Sequence, residues 1–161
     1  MNTCAFSADR LHRYSLLHVM QPGGKRIAWI GLNPSTADEH RLDPTLARVR
    51  KFSLAHGYDE FVMLNLFSFR ATVPQELRQR RITEPEMLLN GMNVRSGIRS
   101  SAAVVFAWGA TFNQWPVCAH EMRAWANTYE DALCLGHTKA GFPKHPLYVR
   151  GDTKLVRFKR E

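Results

Sequence analysis

The chain has 161 residues, of which 45% are hydrophobic and 22% are charged, values typical of a soluble globular protein that exclude disordered and fibrous classes. This length fits a single domain, residues 1–161, and no segment approaches the ~20 apolar residues of a membrane-spanning helix. Lysine and arginine number 22 against 14 acidic residues, and the net charge of +8 favours a polyanionic partner or an anionic substrate.

Cysteine usage and the first residues indicate a compartment. Cys4, Cys118 and Cys134 are scattered, which suits reduced thiols better than a disulfide framework, and the first 15 residues have no apolar core of a secretory signal. We therefore expect a cytoplasmic protein without membrane contact. Cys118 and Cys134 each lie near a histidine, but the paired spacing of a zinc module is absent, so we expect no metal site and no cofactor.

The first predicted strand and helix follow one another directly. Residues 26–32 form a nearly continuous apolar run, which predicts a strand buried on both faces. After a polar loop, Asp43 can cap a helix over 44–56 that has a proline at its first position. This helix is expected to bury Leu46, Val49 and Phe52 and to turn Arg48 and Lys51 toward solvent.

The rest of the chain repeats this alternation. We predict strands over 61–67, 102–109 and 131–136, a helix around 84–100 and another helix between the last two strands. The order predicts a three-layer α/β sandwich whose central, four-stranded sheet is mainly parallel. Residues 13–19 or 147–158 could add an edge strand.

Polar side chains are predicted at the carboxyl ends of these strands, where such sheets bind ligands. Asn33 follows the first strand, Asn65 lies near the end of the second, Trp108 closes the third, and His137 and His145 follow the fourth. A carboxamide offers a donor and an acceptor in one plane, which matches the edge of a pyrimidine base. The sequence therefore predicts a crevice with two carboxamides, an indole and an imidazole.

Each of these residues also has a purely structural interpretation. An asparagine before proline commonly shapes a turn, and that role is favoured for Asn33 considered alone. Asn65 interrupts an apolar run, where a buried amide requires partners or a ligand. His145 lies between two prolines and could stabilise an anion or be a surface residue of a rigid loop. Asp38, Glu39 and Asp43 lie in the first loop and could act as a general base or bind a cation, although helix capping is the expected role of Asp43.

Four segments in order resemble the uracil-DNA glycosylase superfamily. "GLNPS" (31–35) resembles its water-positioning motif, "VMLN" (62–65) its base-reading strand, "VVFAWG" (104–109) its third strand, and "HPLY" (145–148) partly resembles its second catalytic motif. Asn33 stands where the fastest members have Asp, and a carboxamide can orient water but cannot accept its proton. The chain more closely resembles an uncharacterised bacterial and phage domain family with N-P-S-T-A-D and G-x-P-x-H-P-L-Y motifs.

The superfamily resemblance implies a uracil-DNA-glycosylase-like fold and the hydrolysis of an N-glycosidic bond. The implied substrate is a nucleic acid, with DNA as the preferred type, or a nucleotide. The implied catalytic residues are Asn33, which would hold water, and His145, which would stabilise the departing base. The implied substrate-binding residues are Ser35, Asn65, Trp108 and Leu147, the last as a wedge in the base stack. The implied phosphate contacts are Lys139, Lys144 and Arg150. A non-catalytic nucleic-acid binder and an enzyme acting on a free nucleotide or another small anionic substrate are the alternatives.

Overall fold

A computed structural model describes residues 1–110 and 115–159 and contains one mixed β-sheet with helices on both of its faces. The strand order across the sheet is β1-β2-β4-β3-β5-β6-β7. The strands are β1 Thr3–Phe6, β2 Arg13–Val19, β3 Arg26–Gly31, β4 Glu60–Asn65, β5 Ala103–Phe106, β6 Leu133–Cys134 and β7 Val156–Arg157.

The four predicted strands form the parallel centre of this sheet. β3 pairs in parallel with β4 on one side and with β5 on the other, and β5 pairs in parallel with β6. The prediction of a four-stranded sheet was too small, because antiparallel strands extend both edges: β1 and β2 beside β4, and β7 beside β6. Both segments that the sequence suggested for an extra strand contain one: β2 spans residues 13–19, and β7 lies within 147–158. β1 was not predicted and forms the edge beyond β2.

Alternation along β3 explains why the sheet is covered on both faces. Ala28 and Ile30 belong to one buried cluster, while Ile27 and Trp29 belong to the other, as expected for a strand whose successive side chains point to opposite faces. The indole of Trp29 donates to the buried hydroxyl of Ser53, 3.0 Å away, so the polar group on this strand is satisfied.

The helices divide between the two faces. Helix α1 packs Leu46, Val49 and Phe52 on the face of the sheet that carries Ile27 and Trp29, as predicted. The other helices cover the face that carries Ala28 and Ile30. The Asp43 carboxylate accepts from the Leu46 amide at 2.8 Å, which confirms the predicted cap. The helices of the described residues are α1 Pro44–Ala55, α2 Pro74–Gln79, α3 Glu84–Arg99 and α4 Pro116–Thr128, and a 3₁₀ helix spans Pro146–Tyr148. None of these described helices has the length and apolar character needed to cross a bilayer.

Candidate functional site

A pocket of about 140 Å³ lies at the carboxyl ends of the central parallel strands. The structure brings five of the predicted site residues together in its wall: Asn33, Ser35, Asn65, Trp108 and His145. Its volume is close to that of the ~150 Å³ engineered cavity that binds benzene, so a single six-membered ring fits. The pocket also contains Asp43, which the sequence offered as a possible general base, and residues without a predicted ligand-binding role, among them Arg13, Thr45 and Tyr148.

Asn65 offers a complete carboxamide to this pocket. Its side chain is 1% exposed, and neither Oδ1 nor Nδ2 has a hydrogen-bond partner among the described residues. A buried polar group without a partner costs about 1–3 kcal/mol, so two such atoms on one side chain are unusual. Gly31 lies directly beside this amide, because a Cβ there would approach Oδ1 of Asn65 to 2.9 Å.

Trp108 adds a second unpaired donor. Its indole is 2% exposed and packs 4.4 Å from the ring of Phe106, centroid to centroid, while Nε1 has no partner within the described ranges. An indole nitrogen can only donate, so this atom suits a carbonyl or another acceptor of a ligand.

Asn33 is used differently from Asn65. Its Nδ2 donates to the carbonyls of Pro34 and Ala71, both at 3.1 Å, which ties the loop after β3 to the segment after β4. The turn-shaping role is therefore present in the structure. Only Oδ1 of this side chain remains to accept a hydrogen bond from a water or a ligand.

His145 is the histidine of the pocket, and His137 is not among the pocket residues. The Leu147 amide donates to Nδ1 of His145 at 3.3 Å, so the imidazole is neutral with its proton on Nε2. Burial lowers the pKa of His145, while the nearby Asp43 acts in the opposite direction. A neutral imidazole with a free Nε2–H is a donor for an anion that develops in the pocket.

Asp43 and Arg13 bring opposite charges to the same wall. One Asp43 oxygen, Oδ1, accepts from the Leu46 amide at the beginning of α1, and the other oxygen has no hydrogen bond to the described residues. Arg13 is 2% exposed and donates from Nη1 to the carbonyl of Ala37 at 2.8 Å. Neither residue forms an ion pair in the part of the chain that the structure describes.

The comparisons with known proteins place this site in a family. A family profile described as a protein of unknown function, DUF1643, matches residues 13–147, well over half of the chain. The chain belongs to the DUF1643 family. No curated protein and no solved structure matches the chain. The matched DUF1643 range contains every predicted pocket residue and begins at Arg13.

Two further residues hold the DUF1643 pocket in place, and neither was predicted to do so. Asn90 of α3 is 2% exposed, and its Nδ2 donates to the carbonyls of Asn65 and Leu66 at 3.0 and 2.9 Å. Arg48 of α1 was expected to face solvent, but that prediction was wrong. Its guanidinium donates to the carbonyls of Pro146 and Val149 and thereby fixes the 3₁₀ helix that follows His145.

The other predicted site residues of the DUF1643 domain lie outside the pocket wall. Leu147 is 40% exposed on the 3₁₀ helix. Lys139 and Lys144 are exposed and form no ion pair with described residues, whereas Arg150 is paired with Asp152 at 3.1 Å. Among the described residues no group of three or more His, Cys, Asp or Glu side chains is arranged to hold a metal ion.

Which pocket residues could be recognised from sequence depends on their type. Asparagine and histidine next to strand ends carry a visible signal, because polar residues there are typical of ligand sites in parallel sheets. Arg13 carries no such signal in the sequence, because an arginine in a segment predicted as an edge strand ordinarily lies at the surface. The antiparallel pairing of Leu16 with Met63 places the start of β2 beside the end of β4, and only the assembled sheet reveals this neighbourhood.

Proposed function

We propose that this DUF1643 protein binds a pyrimidine-like base in the pocket and hydrolyses the N-glycosidic bond that joins the base to its sugar. The observation that carries the proposal is the fully buried Asn65 carboxamide, whose two polar atoms are unpaired. Such an amide pairs with the adjacent donor and acceptor on a pyrimidine edge. The pocket volume of about 140 Å³ suits one ring.

Charge development in this reaction suits the remaining pocket residues. When the bond between C1′ and the base nitrogen breaks, its electron pair leaves with the base, and Nε2–H of His145 stabilises this anion. A water oxygen then forms the new bond to C1′ and loses a proton. The uncommitted oxygen of Asp43 accepts that proton, which then passes to the departing base.

The general base of this reaction is Asp43, and Asn33 keeps the water-orienting role that the resemblance implies. A carboxamide stands at position 33, where related enzymes have a carboxylate, so Asn33 cannot accept the proton itself. Asp43 lies in the same pocket and supplies a carboxylate. Oδ1 of Asn33 orients the water, while its Nδ2 maintains the loop.

The substrate would be a nucleotide or a nucleic acid that presents an extruded base. Leu147 is exposed beside His145, at a position suited to filling a vacated base stack. The uncompensated Lys139 and Lys144, with Arg150, would contact phosphates. If the substrate is a polymer, its affinity should fall with added salt and with Lys144→Gln. If the substrate is a free nucleotide, its affinity should not depend on these contacts.

A base-release assay tests the proposal. Substrates are duplex and single-stranded oligonucleotides with uracil, mismatched thymine or modified pyrimidines, together with pyrimidine nucleotides. We expect release of a free base, reduced about 10²-fold or more by Asp43→Asn and by His145→Ala. Lys51→Gln, on the exposed face of α1, is the matched surface control. The absence of base release from every substrate would contradict the enzymatic proposal, and nucleic-acid binding without release would support a binding role.

A further inference from the structure

Arg13 is a buried charge that forms no ion pair with the described residues, although the carboxylates of Asp43 and Asp38 attract it from a longer distance. Its side chain is 2% exposed, and no carboxylate of the described residues lies within ion-pair distance. Removing a charge from water costs several kcal/mol unless a partner compensates it. Burial accordingly lowers the pKa of Arg13.

The contacts that Arg13 does make leave part of the guanidinium unused. Nη1 donates to the carbonyl of Ala37 at 2.8 Å, which helps to hold the loop after β3. Nε is fully buried and has no partner in the described residues. A single bond to a carbonyl would not require a charged group, because a neutral amide can donate the same bond.

The position of Arg13 in the pocket explains why a charged side chain is buried there. It lines the same pocket as Asn65 and His145, so its unused donors lie within one small ligand's reach of the base-reading amide. A guanidinium presents a planar fork that matches the two oxygens of a carboxylate or phosphate.

We propose that Arg13 is an oxyanion-binding residue and that the natural ligand is a small pyrimidine-like molecule carrying a phosphate or a carboxylate. This inference rests on the proposed function for the placement of the ring against Asn65. Because Arg13 is 2% exposed, a backbone phosphate that stays outside the pocket does not reach it. The oxyanion enters with the ligand, which narrows the ligand class to a mononucleotide or a pyrimidine carboxylate. Of these two, only the mononucleotide contains the N-glycosidic bond that the proposed reaction breaks.

Binding measurements with matched ligands test this inference on the full-length chain. Calorimetry at constant ionic strength compares uridine 5′-monophosphate and uracil-6-carboxylate with their neutral counterparts, uridine and uracil. We expect at least one anionic ligand to bind ten times more tightly than its neutral counterpart. Which of the two shows this preference distinguishes a phosphate from a carboxylate.

Two variants assign the preference to Arg13. Arg13→Met removes the charge and retains most of the side-chain length, and we expect it to abolish the tenfold preference while affinity for the neutral ligand stays within about twofold. Arg13→Lys keeps the charge without the planar fork and should retain part of the preference. Arg50→Met, which removes an exposed charge from α1, is the matched control and should behave like the unmodified chain.

The outcomes separate this inference from the proposed function. Equal affinity for anionic and neutral ligands, or a preference that survives in Arg13→Met, overturns the role of Arg13 but leaves base binding intact. Tighter binding of a deoxyuridine oligonucleotide than of either small anion, unchanged in Arg13→Met, overturns it in favour of a polymer. If Arg13→Met does not fold by circular dichroism, Arg13→Lys decides: an anion preference as large as that of the original chain counts against the role of the Arg13 guanidinium. An anion preference without base release supports Arg13 and removes only the hydrolytic step.

Discussion

Two buried asparagines, Asn65 and Asn90, both have an unpaired Oδ1 among the described residues but differ at Nδ2, and this contrast separates binding from stability at the scale of single residues. Asn65 leaves both amide atoms unpaired, whereas Nδ2 of Asn90 serves two carbonyls. We expect Asn65→Leu to raise the free energy of unfolding by about 1 kcal/mol or more, because it removes unsatisfied polar atoms. The same change should weaken uracil binding at least tenfold. Urea unfolding and calorimetry measure the two effects.

Asn90→Leu is the matched variant for this prediction. It leaves the carbonyls of Asn65 and Leu66 without their donor, so we expect the free energy of unfolding to fall by about 2 kcal/mol or more. If both asparagine variants lost stability equally, Asn65 would be a structural residue and the pocket would lose its main ligand-binding group.

Gly31 controls access to the same amide. A Cβ at this position would lie 2.5 Å from Cε of Met63 and 2.9 Å from Oδ1 of Asn65, so either side chain has to move. Both contacts involve the ends of side chains, and we expect Gly31→Ala to change the free energy of unfolding by less than about 1.5 kcal/mol. Uracil affinity should fall about tenfold or more. Ala28→Gly, on the same strand as Gly31, is the control. Gly57→Ala does not serve as one, because the φ of +76° at Gly57 would add strain.

At the scale of elements, α1 and the 3₁₀ helix act as one unit through Arg48. Its guanidinium donates to the carbonyl of Pro146, the first residue of this short helix, and to that of Val149, which follows the helix. His145 directly precedes the helix. We expect Arg48→Met to loosen the helix and to increase amide hydrogen exchange at Leu147 and Tyr148, whose amides bond to His145. Base release should decrease with little change in uracil affinity. Lys51→Met, on the same helix, should leave the exchange rates unchanged.

The elements also show what local sequence can predict. β3 was predictable because both of its faces are buried, which produces a continuous apolar run, and α1 was predictable because Asp43 and Pro44 mark its beginning. β7 lies within residues 147–158, which the sequence offered as a possible edge strand, but it has only two residues, both exposed, so no hydrophobic pattern marks its bounds. Strands of this kind exist because a neighbouring strand offers unpaired backbone groups, and a local pattern does not contain that information.

The same limit explains the candidate site. The sequence predicted the location of three pocket residues, because each has a local signal. Asn33 lies just after a strand, Asn65 lies at the end of one, and His145 lies between two prolines. Arg13 and Arg48 look like surface residues along the chain, and their roles depend on contacts with segments 24 and about 100 residues away. Long-range contacts of this kind are fixed by the packed molecule and not by local preference.

At the scale of the whole molecule, two half-buried histidines, His145 and His18, link stability to pH. Burial lowers the pKa of His145 and of His18 below the ordinary value of 6.5, so the unfolded chain binds more protons than the folded chain just below that pH. Their contribution to stability is therefore complete above pH 6.5 and is lost as the pH falls toward the lower folded-state values. The carboxyls of Asp9, Asp38 and Glu86 have lowered pKa values and titrate from ordinary values of 3.8 to 4.5, below this window.

The range from pH 7.5 to 5.5 thus isolates the histidines, and His145→Asn tests the contribution of the site. Asparagine retains an acceptor for the Leu147 amide but does not titrate, so the 3₁₀ helix keeps its cap when the pH falls. We expect the melting temperature of the original chain to fall across this range and that of His145→Asn to fall less. His18→Asn should give an independent, additive reduction of the slope, because His18 lies on β2 and is not part of the pocket. Identical slopes for the original chain and His145→Asn would mean that His145 titrates alike in the folded and unfolded chains, and the neutral donor assigned to the reaction would lose its basis.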